Sequence, residues 1–399
     1  MALKVLTGLD PFTASLAGKA SKSDLFIDAM AFPYNCVADN LTNNAVGLND
    51  AQTAAAAADL PMFLGPGIFV TNTLVEYKAP IIGPNAEATT IKAGASFVGS
   101  CVIDFDNSPE FKHIAKVTID MNHVAGVQAF GSSGDASGSA NSLFESVKFH
   151  NGTPDTYAVG GASTTNIGGM LTGATFLRCR WENVPLWANV GANQDDVIFI
   201  GCRFHMTPSY TGPTDAPLVL GGQNNSLLST FMYLVASTAS GADKPVIKIG
   251  SSPVKVSGLF LECEAGANYT HLFYATNPNY MLEADTIQYG LADNTGFVAL
   301  VRANLHEGTL PRSVVQLRNC AIKTGSAVPY VFDVLSEATT ASKSAYLNFS
   351  GVDGVTDLLS FASGSVSSSA KVHLTGTKDG TNYRHSASIH RPGFLKASA

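Results

Sequence analysis

The sequence is short of charge. Asp, Glu, Lys and Arg make up 14% of its 399 residues, against a usual share of about a quarter. A surface with so few charges solvates poorly, so much of it is expected to be covered by partner subunits. The net charge of −7 argues against a nucleic-acid binder. No apolar run is long enough to span a membrane, so no membrane insertion is expected. No basic start followed by an apolar segment opens the chain, which predicts synthesis and folding in a cytoplasm without export. The six cysteines contain no CxxC spacing, so neither a zinc site nor any other cofactor is expected. Long stretches with a 3.6-residue apolar period are nearly missing, which excludes helical repeats.

What is present is a short frame that returns: apolar, any, any, Cys, any, apolar. It reads Phe176-Leu-Arg-Cys179-Arg-Trp181, Phe199-Ile-Gly-Cys202-Arg-Phe204, Phe260-Leu-Glu-Cys263-Glu-Ala265 and Leu317-Arg-Asn-Cys320-Ala-Ile322. Copies without Cys begin at Phe144 and Phe231, and weaker ones at Val117, Ile287, Leu347 and Val372. The mean step is about 28 residues, the size of a solenoid unit. The frames are aromatic and β-branched, and Gly, Ser, Asn and Thr fill the gaps, which is strand-and-turn chemistry. Slots four and six face inward, slots three and five outward, and a bend separates slot one from slot four. The expected fold is therefore all-β: a parallel β-helix over residues 65–375, with rungs about 4.8 Å apart. Phe144, Phe176, Phe199, Phe231, Phe260 and Leu317 should stack in one internal column. Cys179, Cys202, Cys263 and Cys320 should stack in another, as small hydrophobes and not as disulfides.

The N-terminal part differs. Residues 1–25 read as an irregular arm or anchor, and residues 26–64 as a lead-in segment with one helix. Asn49-Asp-Ala-Gln-Thr-Ala-Ala-Ala-Ala-Ala58 has the Ala content for it, and Asn49 or Asp50 can cap its start. A solenoid needs its first coil covered, and this helix is the expected cap. Residues 376–399 read as a C-terminal tail.

Within that segment, Tyr34-Asn-Cys-Val-Ala-Asp39, Leu48-Asn-Asp50-Ala-Gln-Thr-Ala54 and Met62-Phe-Leu-Gly-Pro66-Gly-Ile-Phe-Val70 resemble the lead-in of phage tailspikes, members of the pectate-lyase-like superfamily. The superfamily's Gly-Asp-Gly core is replaced here by Val37-Ala-Asp-Asn40, and Leu64-Gly-Pro-Gly67 stands where Pro-Ala-Gly is usual. The resemblance covers residues 30–100 by motif and the remainder by rung pattern. It implies a right-handed coil, a homotrimer and a place on a virion, with synthesis in the host cytoplasm. It also implies contact with other virion proteins through the N-terminal arm and with a bacterial surface glycan. It transfers no catalytic residue, and fold analogy licenses no enzymatic claim.

Stacking the frames brings chemistry together. Slot five reads Lys148, Arg180, Arg203, and slot seven reads His150, Glu182, His205. One reading is an anionic-glycan site, with Glu182 as base or ligand contact, His205 as acid, and Arg180, Arg203 and His150 as glycan contacts. The other is a salt-linked ladder at a trimer interface, which carries the greater weight because structural ion-pair networks also produce such clusters. Asp195 and Asp196 form a carboxylate pair of the kind glycosidases use, although adjacent Asp residues in a turn more often serve the turn itself. Trp187, Tyr210 and Tyr233 are candidate sugar platforms. Trp181 takes an inward slot and belongs to the core, and Glu262 and Glu264 face outward. Two functions fit: a tailspike that attaches to a bacterial polysaccharide, with or without depolymerase activity, or a non-enzymatic spike or decoration protein built on a trimeric rod.

Overall fold

The computed structural model describes residues 25–105, 111–131, 142–154, 158–159, 172–184, 196–207, 212, 216–239, 243–250, 253–264, 266–275, 281–291, 296–304, 312–325, 328–335, 344–353, 355–361, 371–378 and 381–388. It is a parallel β-solenoid with three strand-bearing faces. On the first face, strands such as Leu143–Glu145, Thr175–Leu177 and Ile198–Ile200 pair in parallel, with Phe144, Phe176 and Phe199 in register. On the second, Thr118–Asp120, Lys148–His150, Arg180–Glu182, Arg203–His205, Phe231–Leu234 and Phe260–Cys263 pair in the same manner. The third face runs from Leu218–Leu220 to Val355–Phe361. Towards the C-terminus, Met281–Leu291 and Arg312–Gly325 are long enough to serve the first two faces in one strand. Every described pairing is parallel except the last, where Lys371–Lys378 turns back antiparallel onto Thr381–Ser388.

The bend inside each frame is real and has one cause. From Ile114 to Phe349, the residue two after each inward first-face residue has positive φ: Lys116, Ser146, Arg178, Gly201, Ser229, Gly258, Thr286, Asn319 and Gly351. One left-handed residue redirects the chain from the first face to the second. Gly takes that conformation freely and the others at a cost of roughly 1–2 kcal/mol each.

The core lies between the faces and is close to continuous along the axis. Rings of Phe144 and Phe176 stack at 4.8 Å, and those of Phe176 and Phe199 at 5.1 Å. The registers correct the expected column. Phe199 is followed by Leu227, Val256 and Ala284 before Leu317, so Leu317 belongs to it. Phe231 and Phe260 do not: Phe231 pairs with Arg203 and Phe260 with Phe231 on the second face, and both point outward. The inward frames there begin at Leu227 and Val256, four residues earlier, and the outward aromatics Phe231 and Phe260 imitate them. The cysteines split for the same reason. Cys179 and Cys202 occupy one column, in which Cys320 pairs with Ile287 and Val352. Cys263 pairs with Leu234 on the second face, beyond the inward column of Phe204, Met232 and Leu261. All of these thiols are buried and unbridged. Trp181 lies in the core, 1% exposed.

Helix α1 spans Ala45–Ala58, starting four residues before the expected Asn49. Asn44 is its first flanking residue, but its side chain is used elsewhere: it accepts the Val37 N–H at 2.7 Å and donates to the Val37 carbonyl at 3.0 Å. Asn49 is inside the helix, where it accepts the Glu76 N–H at 2.8 Å and donates to the Leu74 carbonyl at 3.2 Å. Buried Gln52 accepts the N–H groups of Lys78 and Ala79 at 2.7 and 2.9 Å. These amides bind the helix to the strand Gly67–Glu76 and its exit, because strand N–H groups at a sheet boundary need acceptors.

Candidate functional site

Two outward columns run along the second face. One reads Thr118, Lys148, Arg180, Arg203, Phe231, Phe260, and the other Asp120, His150, Glu182, His205, Tyr233, Glu262. The strands are parallel and in register, so each residue sits one rung from its neighbours. That places the predicted His150, Glu182 and His205 together, with Lys148, Arg180 and Arg203 beside them.

Glu182 is the hub. Arg180 Nη2 approaches its Oε2 at 2.7 Å, Lys148 Nζ the same oxygen at 3.3 Å, and His150 Nε2 its Oε1 at 3.3 Å. Glu87 completes the network from outside the frames, meeting Lys148 at 3.4 Å and Arg180 at 3.2 Å. Its turn is held down by the Thr118 hydroxyl, which donates to the Ala86 carbonyl at 2.6 Å. Two cations thus meet two carboxylates. Burial works to raise the Glu182 carboxyl, but Lys148 and Arg180 outweigh it and hold the group below its ordinary value. Burial lowers His150, with Asp120 and Glu182 opposing and Lys148 assisting. Burial, then Arg203, lowers His205 against the pull of Glu182. At neutral pH the column is therefore an ionised Glu182 between uncharged imidazoles.

Arg203 stands apart. Its guanidinium lies 4.8 Å over the Phe231 ring, whose ring in turn stacks on Phe260 at 5.4 Å and 11°. Among the described residues it has no carboxylate partner. Beside it the His205 ring is 5.4 Å from Tyr233, and His205 Nδ1 is buried with no hydrogen-bond partner among the described residues.

The remaining predicted residues are elsewhere. Asp196 lies in the turn entering the first-face strand Ile198–Ile200, has φ 61°, and accepts a short hydrogen bond from the Asn224 amide. It serves a corner and is not on the face that carries Glu182. Asp195, Trp187 and Tyr210, together with residues 1–24 of the predicted arm, lie outside the described residues.

Sequence reasoning missed three features, two of them in the site. Asp120 sits directly before His150 in the column, and its carboxylate accepts the Asn122 N–H at 2.8 Å and the Asn151 side chain at 3.1 Å. Entering the weak frame at Ile114 instead of Val117 would have put it in slot seven. Glu87 had no frame to reveal it. The third is a buried cluster on the third face, which the Phe–Cys frame does not reach and where Phe273 and Phe332 lie in one column two rungs apart. There His271 Nε2 lies 3.4 Å from Asp333, and Arg302 bridges towards Asp333 and Asp243. The Thr270 hydroxyl accepts the Lys244 N–H at 2.8 Å, which leaves its own proton for His271 Nδ1 at 2.9 Å. That chain ties rungs together with its imidazole shut away, for His271 is 1% exposed. Among the described residues no group of three His, Cys, Asp or Glu side chains forms a metal site, and no helix is long and apolar enough to cross a membrane.

No family model and no curated protein sequence matches the chain. Among solved structures it is similar to PfbA, a surface adhesin of Streptococcus pneumoniae, at 11% identity and a TM-score of 0.54, over 93% of this chain and 96% of that one. Tailspikes of Acinetobacter phages are further neighbours; that of vB_ApiP_P1 matches at 11% identity and a TM-score of 0.48 over 95% of this chain, which spans 65% of the tailspike. A Geobacillus virus E2 protein, ORF18, matches at 13% identity and a TM-score of 0.46, over 95% of this chain and 67% of that one. At such identities the likeness to the adhesin establishes the architecture alone, a parallel β-solenoid.

Proposed function

We propose that this chain is a virion attachment protein of the tailspike type, a right-handed trimeric β-helix whose second face meets a bacterial surface polysaccharide. The observation that carries the proposal is the pair of outward columns in which Asp120, His150, Glu182, His205 and Tyr233 run beside Lys148, Arg180, Arg203 and Phe231. Sugar recognition uses charged and hydrogen-bonding side chains next to apolar rings, and a stiff solenoid presents them without ordering cost on binding. The lead-in resemblance over residues 30–100 supports a place on a virion, with α1 covering the first coil and the N-terminal arm contacting other virion proteins.

The role assigned is binding. A glycosidase acid must hold its proton near neutral pH, which requires a raised carboxyl. Glu182 is pushed the other way by Lys148 and Arg180. A second reading rests on the balance of two cations against Glu182 and Glu87: a ladder so neutralised also suits an interface between copies of the chain.

The test uses purified protein and paired bacterial strains with and without capsule. Adsorption that depends on the capsule, with no new reducing ends released, is the expected result. Equal adsorption to both strains would remove the polysaccharide reading. Release of reducing ends would make the protein a depolymerase and reassign Glu182 or its neighbours as catalytic.

A further inference from the structure

We propose that Arg203 is the anion-binding residue of the second face, taking an oxyanion carried on an acidic polysaccharide, with His205 as the adjoining hydrogen-bond partner. The inference rests on the attachment reading above and deepens it by naming the ligand's charge.

Three observations converge. The first is charge accounting. Lys148 and Arg180 both contact Glu182 and Glu87, whereas Arg203, next in the same column, contacts no carboxylate among the described residues. Stacked cations repel unless a counter-charge is near, and Arg203 is the one left without it. The second is orientation. The guanidinium lies over the Phe231 ring, itself backed by Phe260, so one face is fixed by stacking while its N–H edges remain available. A held planar fork matches a planar oxyanion in two-point contact and loses little freedom on binding. Arg203 is also exposed, unlike Lys148. The third is His205. Its Nδ1 is buried yet has no partner among the described residues, an orphan position next to the free guanidinium. A buried polar atom without a partner is costly, and a ligand hydroxyl or water would satisfy it. Glu182 and Glu262 lie one rung before and two rungs after His205 in the adjoining column, which confines the site to a single oxyanion.

The attachment reading makes the ligand a polymer and not a free ion. The chain carries a net charge of −7, so a polyanion is repelled overall and its retention depends on a local cationic site. Whether the oxyanion is a carboxylate or a sulfate is decided by separate arms of the test.

The full chain is run through native gels containing polygalacturonate, dextran sulfate or neutral dextran, and its retardation is measured against polymer concentration. The variants are Arg203→Gln, Arg203→Lys and, as a control on the first face, Lys255→Gln, with melting temperature as the check on folding. The expected result is retardation by at least one polyanion and not by dextran. Arg203→Gln should weaken it by about tenfold or more, the scale of one charge-assisted contact. Arg203→Lys should fall between, since it keeps the charge and loses the fork. Lys255→Gln should match the parent. Retardation by polygalacturonate assigns a carboxylate, and by dextran sulfate alone a sulfate. The proposal is overturned if neither polyanion retards the parent protein, or if Arg203→Gln is retarded like it. Capsule-dependent adsorption that survives Arg203→Gln would overturn this site and leave the attachment reading standing. Loss of all adsorption by the parent protein would remove both.

Discussion

A thiol in an apolar column is tolerated only while it stays neutral. Cys202 is 1% exposed, donates towards the Phe176 carbonyl at 3.2 Å, and burial pushes its pKa up to about 12. Cys202→Ala removes one heavy atom and should cost about 1 kcal/mol in denaturant unfolding. Cys202→Asp puts an unpaired charge there, a penalty of several kcal/mol, and should abolish soluble folded protein. Equal yields of the two would show that the column is not packed as described. Titrating side chains make a second residue-scale prediction. His113, His150 and His205 all lie below the ordinary imidazole value of 6.5, each through burial first. A depressed folded value means that the unfolded chain binds more protons on acidification. Their contribution is thus complete above about pH 6.5 and drains away as pH falls through their lowered values. Glu182 is lowered too, so its share is present above its ordinary value and is lost further into acid. The melting temperature should be flat from about pH 8 to pH 7 and fall steadily below pH 6. A rise on acidification would contradict the burial of these rings.

At the scale of elements, the corner between the first two faces is the testable unit. It needs one left-handed residue per rung, and at Thr286 a β-branched side chain holds φ 56°. Such a residue is the most strained choice for that region. Thr286 is exposed, so little packing is lost by changing it. Thr286→Gly should therefore stabilise by up to about 1 kcal/mol, the strain relieved less the added unfolded-state entropy. Gly201→Val, at φ 61°, should destabilise by about 1–2 kcal/mol, although an added Cβ meets only Arg178 Cγ at 3.7 Å. Chemical unfolding of the pair decides it, and equal or reversed signs would mean that the corner adapts. The same corner explains what was legible in the sequence. The solenoid, its rung size, the bend and the His150–Glu182–His205 stack were readable wherever an inward Phe or Cys fixed the frame, at Phe144, Phe176, Phe199 and Leu317. Elsewhere the inward slots hold Leu227, Val256 and Ala284, residues too ordinary to mark a register, and the outward Phe231 and Phe260 took their place. Hence Asp120 was missed by a three-residue slip. Glu87 was beyond reach for a different reason: it enters the site from a turn, and no periodicity reports what a turn overhangs. The third-face cluster around His271 was hidden likewise, since its contacts cross rungs whose spacing the loops set.

At the scale of the molecule, the question is what covers so weakly charged a surface. Phe32, Leu41 and Val46 in the lead-in segment are 86%, 84% and 73% exposed. Together with a 14% charged composition, they favour assembly, and a closed symmetric ring buries such surface without leaving an open end. The lead-in resemblance makes that ring a trimer, and light scattering that returned the 41.6 kDa monomer at micromolar concentration would exclude it. Glu182→Gln then tells which face the trimer uses. The substitution keeps shape and removes one charge, leaving Lys148 and Arg180 with only Glu87, whose side chain is 59% exposed. If the ladder lies between subunits, water is excluded and the surplus charge is costly, about 3–5 kcal/mol per subunit. That loss recurs in every copy, so the trimer should dissociate on dilution. It should do so more readily near 10 mM salt, where charges act over about 30 Å before they are screened, than near 150 mM, where they act over about 8 Å. If instead the face is open for a ligand, the network is a solvated one, and such pairs are worth about 0–1 kcal/mol. The trimer mass should then hold at both salts, the melting temperature should drop slightly, and capsule adsorption should change, because Arg180 is released to compete with Arg203 for the incoming anion. Mass and adsorption both unaltered would mean that the ladder neither joins subunits nor meets a ligand, and that it serves only to hold its own rungs in register.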